Sequence, residues 1–192
     1  MLHHQEHPKR HVLHLEELGK SAVVTGPVGE SLQVKLTDPA TFVMTDFMER
    51  AFFKVAPDEQ IDRVLEKMKN AGVRSAFVMD SLGDKLLGMI TAYDIMGEKP
   101  LRYLQSSGFT EHRDILVSDI MESVKDMVAV DMHEVAKESV QSVLDVLQQS
   151  RRTHLPVVEK KEGEAPHLRG LFSTTRVLRL TEDARRTITR VK

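Results

Sequence analysis

Two short segments of this chain place a hydroxyl three residues before a strongly polar side chain: Thr91-Ala92-Tyr93-Asp94 and Ser173-Thr174-Thr175-Arg176. In the first, Thr91 can cap a helix while Asp94 reaches back to the backbone N–H of Thr91, a reciprocal capping box. The same carboxylate could instead accept hydrogen bonds from a ligand. In the second, Arg176 takes the place of Asp94 and cannot accept a hydrogen bond, so neither role carries over. His154 is expected to be a hydrogen-bonded structural residue. A Ser173 nucleophile with a His154 base lacks an orienting acid and an oxyanion hole, so no catalytic residue is assigned and the chain is not read as an enzyme. His3, His4, His7, His11 and His14 crowd one end of the chain. His7, His11 and His14 would share a helical face able to hold zinc or nickel, but Pro8 interrupts that helix; a loose chain end without metal is the expectation.

The elements that must position these residues follow from periodicity. Ile61, Val64, Leu65 and Met68 form the apolar stripe of a helix that Gly72 stops. Ala76–Met79 and Leu86–Ile90 read as buried strands around an Asp80–Asp84 loop, and Leu155–Val158 and Leu168–Phe172 as a second pair. Val23-Val24 and the alternating Ser31–Leu36, on either side of Gly26-Pro27-Val28-Gly29, read as a short hairpin. A helix is expected after Arg176, with Val177, Leu180, Ala184, Ile188 and Val191 on its apolar face. Its many arginines read as a solvated face rather than a nucleic-acid surface.

The chain has 192 residues, 41% hydrophobic and 29% charged, with a net charge of -2 and no cysteine. That composition fits a globular protein and excludes disulfides and thiolate chemistry. It gives no reason to expect nucleic acid or an anionic membrane as partner. No apolar run has the length of a signal peptide or a membrane span, so a cytoplasmic location is expected.

Much of the chain occurs twice. Met44-Thr45-Asp46-Phe47-Met48 recurs as Val117-Ser118-Asp119-Ile120-Met121, and Val55-Ala56-Pro57-Asp58 recurs at the same spacing as Val128-Ala129-Val130-Asp131. After extra residues around Ala136-Lys137-Glu138, the stripe returns as Val140, Val143, Leu144 and Leu147, and Gly88-Met89-Ile90-Thr91 faces Gly170-Leu171-Phe172-Ser173. A repeat of this length is a folded unit used twice.

This succession resembles the paired cystathionine-β-synthase (CBS) domain, the Bateman module. The resemblance rests on the Val/Met-x-Asp-φ-Met opening (φ apolar), Val-x-Pro-Asp before a helix, the Leu-Pro-Val-Val strand and the Gly-φ-φ-Thr/Ser-x-x-Asp close. It implies an α+β fold of two pseudo-twofold related repeats, each β-α-β-β-α. The expected layout is an N-terminal extension at 1–43, a first repeat at 44–100, a linker with one helical turn at 101–116, a second repeat at 117–180 and a helix end at 181–192. It further implies clefts for an adenosine-containing ligand such as AMP, ADP, ATP or S-adenosylmethionine, with no cofactor required. Thr91 and Asp94 would hold the ribose, Arg74 with Ser75 the phosphates, and Val55 and Ala56 the adenine. The second cleft, with Ser173, Arg176, Thr153 and His154, would be empty or take a different anion. Phe77, where the family prefers proline, alters the cleft's shape. The implied role is a stand-alone regulator, a homodimer acting on a protein in trans; the alternative is a ligand-free scaffold or protein-interaction module.

Overall fold

The computed structural model describes residues 34–83, 85–108 and 111–181. The N-terminal histidines, most of the expected hairpin and the chain beyond Thr181 lie outside the described residues. Of the hairpin, Val34, Lys35 and Leu36 are described and form no strand.

Strands β1 (Thr45–Asp46) and β2 (Lys54–Val55) precede helix α1 (Ile61–Ala71), strands β3 (Ser75–Met79) and β4 (Leu86–Thr91), and helices α2 (Ala92–Met96) and α3 (Lys99–Ser107). Then follow α4 (Val117–Ile120), β5 (Glu122–Ser123), β6 (Val130–Asp131), α5 (Met132–Val135), α6 (Val140–Gln149), β7 (His154–Glu159), β8 (His167–Ser173) and α7 (Thr174–Leu180). The two long amphipathic helices and both hairpins stand where the periodicity places them. Ile61, Val64 and Met68 of α1, and Val140, Val143, Leu144 and Leu147 of α6, are buried. Each such side chain contributes about 1.5–3 kcal/mol when removed from water.

The strands form two four-stranded sheets, ordered β2-β3-β4-β5 and β1-β8-β7-β6. Both use the same pairing: the short strand before the helix runs parallel to the first hairpin strand, and the remaining pairs are antiparallel. The edge strands are exchanged. β5, from the start of the second copy, pairs with β4 of the first, and β1 pairs with β8 of the second. Backbone bonds repeat the exchange symmetrically: Ile61 N–H donates to Ile115 O (3.1 Å) as Val140 N–H donates to Asp38 O (2.9 Å), and Val117 N–H donates to Glu59 O (2.8 Å) as Ala40 N–H donates to Glu138 O (2.8 Å). Each copy's core is completed accordingly. Ile115, Val117 and Ile120 pack into the first, and Val34, Ala40, Val43 and Met44 into the second. A third cluster joins the sheets through Phe77 and Met89 on one side and Leu171 on the other.

This exchange corrects the alignment of the copies at their openings. Glu122 pairs with Met89 as Thr45 pairs with Leu171, so the helical turn Ala40–Val43, not Met44–Met48, is the counterpart of Val117–Ile120. The sequence match was of residue type alone: Asp119 caps α4 by accepting from Leu116 N–H at 2.8 Å, whereas Asp46 lies in β1 and pairs with Arg169. Likewise Val130, not Val128, occupies the ladder position of Val55. The extra length of the second copy goes into the four-residue helix α5, which ends just before Ala136-Lys137-Glu138.

Gly88 and Gly170 mark where the exchanged strands cross. A Cβ on Gly170 would lie 2.8 Å from both Met44 Sδ and Thr45 O, and one on Gly88 would collide with Glu122 O and meet Met121 Sδ at 3.2 Å. Gly88→Ala is therefore expected to displace β5 and destabilise the chain by about 3 kcal/mol, read from its urea midpoint; an unchanged midpoint would contradict this packing.

Two helices differ from expectation. The segment read as a linker carries the nine-residue α3, because Pro100 sits in its first turn, where the missing N–H costs nothing, and Gly108 ends it at φ 77°. Conversely, α7 stops at Leu180. Thr181 is extended and buried, its hydroxyl donating to Val177 O at 2.7 Å. A β-branched residue that bonds back to its own helix disfavours continuation.

Candidate functional site

The junction between β4 and α2 positions the first candidates. Both halves of the capping box are formed: Asp94 N–H donates to Thr91 Oγ1 (3.1 Å), while Thr91 N–H and O–H donate to Asp94 Oδ2 (2.8 and 2.7 Å). The other carboxylate oxygen, Oδ1, faces Lys99 Nζ at 2.8 Å, and Lys99 also donates to Ile120 O at 3.2 Å. The Asp94 side chain is 14% exposed. An oxygen holds two lone pairs, so Oδ2 is filled from within and Oδ1 keeps one acceptor position for a ligand.

Thr91 and Asp94 line a cavity of about 550 Å³, a size that accommodates a nucleotide-sized molecule. Its opposite wall comes from the second copy: Arg151, Arg152, Thr153 and His154 at the end of α6 and the start of β7, with Met121, Glu122 and Asp126 closing one side. Arg152 is held by Glu122 and donates to Asp126 O at 3.1 Å. Arg151 has a positive φ of 54°. It ends α6 as Gly72, at φ 66°, ends α1, and the following residue of each, Arg152 and Val73, donates to the preceding turn in the same way. A non-glycine residue in that conformation costs about 1 kcal/mol, and here it sets a guanidinium-bearing side chain on the cavity wall.

The expected first-cleft set is not brought together as one group. Arg74 and Ser75 line a different cavity, of about 530 Å³, with Ser173, Arg176 and Arg179. Val55 is buried in the first core, and neither it nor Ala56 lines either cavity. Thr153, placed with the second cleft by sequence, borders the first; His154, which the sequence allows in either cleft, lines both. The cause is the exchange of edge strands, which puts the end of each copy's hairpin opposite the other copy. Lys99 and Arg151 carry no motif and were missed. Phe77 is buried and meets Phe47 and Phe52 edge to face, with centroids 5.6 and 5.8 Å away, which shapes the second cavity's floor.

His154 Nδ1 lies 3.0 Å from Thr153 Oγ1. Burial pushes the imidazole down to about 4 from its ordinary 6.5, against the opposing pull of the Asp94 carboxylate. It is neutral at pH 7. Ser173 caps α7 by accepting from Arg176 N–H at 3.3 Å, and Arg176 Nε donates to Val43 O at 3.2 Å, so the reciprocal half of the box is absent.

A family model described as CBS domain matches residues 43–100. No curated protein matches the chain. Among solved structures, a CBS-domain containing protein from Agrobacterium tumefaciens superposes with a TM-score of 0.50 at 20% identity, covering 68% of this chain and 84% of that one. A conserved protein from Pyrococcus horikoshii gives 0.52 at 21% identity, covering 78% and 94%. GMP reductase from Trypanosoma brucei gives 0.51 at 19% identity over 76% of this chain and 28% of the enzyme. At such identities the likeness is one of fold.

Proposed function

We propose, from the premise that the chain is a CBS-domain protein whose described residues form a pair of such repeats, that it is a regulatory module binding an adenine nucleotide or related adenosyl ligand in the Asp94 cavity. The observation that carries the reading is the cavity itself: a carboxylate with one acceptor position left open, opposite a cationic wall supplied by the other copy. Asp94 Oδ1 would accept from a ribose hydroxyl, and Lys99 and Arg151 would face the phosphate. Arg151 thereby takes the role that the family resemblance implied for Arg74. Because the walls belong to different copies, a bound ligand would bias how the copies sit against each other and signal to a partner protein, by differential binding to two states.

We further propose that the chain acts as a cytoplasmic homodimer without catalytic activity. Among the described residues no helix is long and apolar enough to cross a membrane. Exposed Met96 and Leu101 flank a groove with Leu65, Ile95 and Leu104, and such a surface suits a second subunit. Light scattering is expected to give a dimer; a monomer at high concentration would contradict that.

One observation favours the alternative, a scaffold or interaction module without ligand: the Asp94 carboxylate is already bonded by Thr91 and Lys99. Thermal unfolding with AMP, ADP, ATP and S-adenosylmethionine separates the two. A midpoint raised by one of them supports the sensor, and no rise with any supports the scaffold. A linked prediction concerns Arg151→Gly: relieving its left-handed backbone should raise stability by about 1 kcal/mol while weakening nucleotide binding. Equal affinity in this variant would remove Arg151 from the site.

A further inference from the structure

The second cavity differs from the first in charge. Arg50, Arg74, Arg176 and Arg179 line it, and among its described lining residues there is no carboxylate. The first cavity, by contrast, is lined by Asp94, Glu122 and Asp126 beside its cations. Arg74 and Arg179 are exposed and form no ion pair among the described residues. Phe47, Phe52 and Phe77 stack beneath in mutual contact, their centroids 5.4 to 5.8 Å apart. An apolar floor lowers the local dielectric and strengthens the field that the guanidinium groups raise in the cavity. Crowding like charges in a concavity opposes folding, and an anion carrying several charges reverses that sign. The group suited to a ribose diol is missing, since Arg176 stands where the first copy has Asp94.

We propose that this cavity is a site for a compound carrying several phosphate groups, gripped through its phosphates by arginine forks and not through a sugar. Bidentate guanidinium–phosphate bonds supply both strength and orientation. Ser75, Ser173 and Thr175 add hydroxyls to the wall. The inference goes beyond the nucleotide reading of the Asp94 cavity and does not rest on it.

The test is calorimetric titration of the full chain with sodium tripolyphosphate at low ionic strength, with orthophosphate as the single-phosphate control. The expected result is one site per chain that prefers tripolyphosphate and weakens as salt is added. The double variant Arg74→Gln/Arg179→Gln should lose about tenfold or more in affinity. Both residues are exposed, so the variant should fold as the native chain does. No binding by the native chain, undiminished binding by the double variant, or many weak sites per chain would each overturn the proposal. AMP and S-adenosylmethionine titrated into the native chain and into the double variant read the other cavity, which Arg74 and Arg179 do not line, so failure of either assignment is seen separately.

Discussion

Replacing Asp94 by alanine abolishes the rise in unfolding temperature that the matching adenosine ligand gives the native chain. A ligand at about a hundred times its dissociation constant adds ~2.7 kcal/mol of stability. For a chain of this length that is a midpoint shift of roughly 5–10 °C. Asp94 also holds the capping box through Thr91 N–H and O–H, so the variant begins from a lower midpoint, by about 1 kcal/mol. The quantity to compare is therefore the shift, not the midpoint. Equal shifts in both proteins would return Thr91 and Asp94 to the role of a helix cap and move the ligand elsewhere.

The second large effect is a loss of stability in mild acid that originates at His154. Its folded pKa of about 4 lies below the ordinary 6.5 because the imidazole is buried. Between those values the unfolded chain takes up a proton that the folded chain refuses, so stability rises with pH across the window. The contribution is complete above about pH 6.5 and falls away as pH is lowered towards 4, by up to about 3 kcal/mol. His154→Gln removes the titrating group. Urea unfolding of both proteins at intervals from pH 7 to pH 4 should give a clearly flatter profile for the variant. Superimposable profiles would mean that His154 is hydrated and protonates freely in the folded chain.

The repeat and its elements were legible in the sequence because apolar periodicity reports burial directly. The stripes of α1 and α6, and the hairpins ending at Thr91 and Ser173, need only local pattern and a sheet to pack on. The composition of the cavities was not legible. Membership of a cavity depends on β1 and β5 crossing to the other copy's sheet, and no periodicity encodes which sheet a two-residue strand joins. Grouping Arg74 and Ser75 with Asp94 took the whole binding set from the first copy, whereas Arg74 shares a cavity with Arg176 and Asp94 shares one with Arg152 and His154. The openings misled for a related reason: Asp46 and Asp119 match in type, yet one is a strand residue and the other a helix cap. Most of α3, with Pro100 in its first turn, lies in the segment read as a linker. Arg151 gave no sign in sequence, since an αL position is announced by glycine, and its counterpart Gly72 is the one that signals.

The central claim is that an adenosine ligand occupies the cavity between Asp94 and the second copy's Arg151–His154 wall. Met89 and Met121 line that cavity, while Met68 is buried in the first core away from it. Methyl NMR of the chain labelled with 13C-methyl methionine, titrated with AMP, S-adenosylmethionine and their relatives, reads occupancy at that place. The account predicts saturable shifts of the Met89 and Met121 methyls with one of these ligands and none in Asp94→Ala. Unmoved Met89 and Met121 signals at saturating concentrations of every one of them, or shifts confined to methionines outside the cavity, would contradict it.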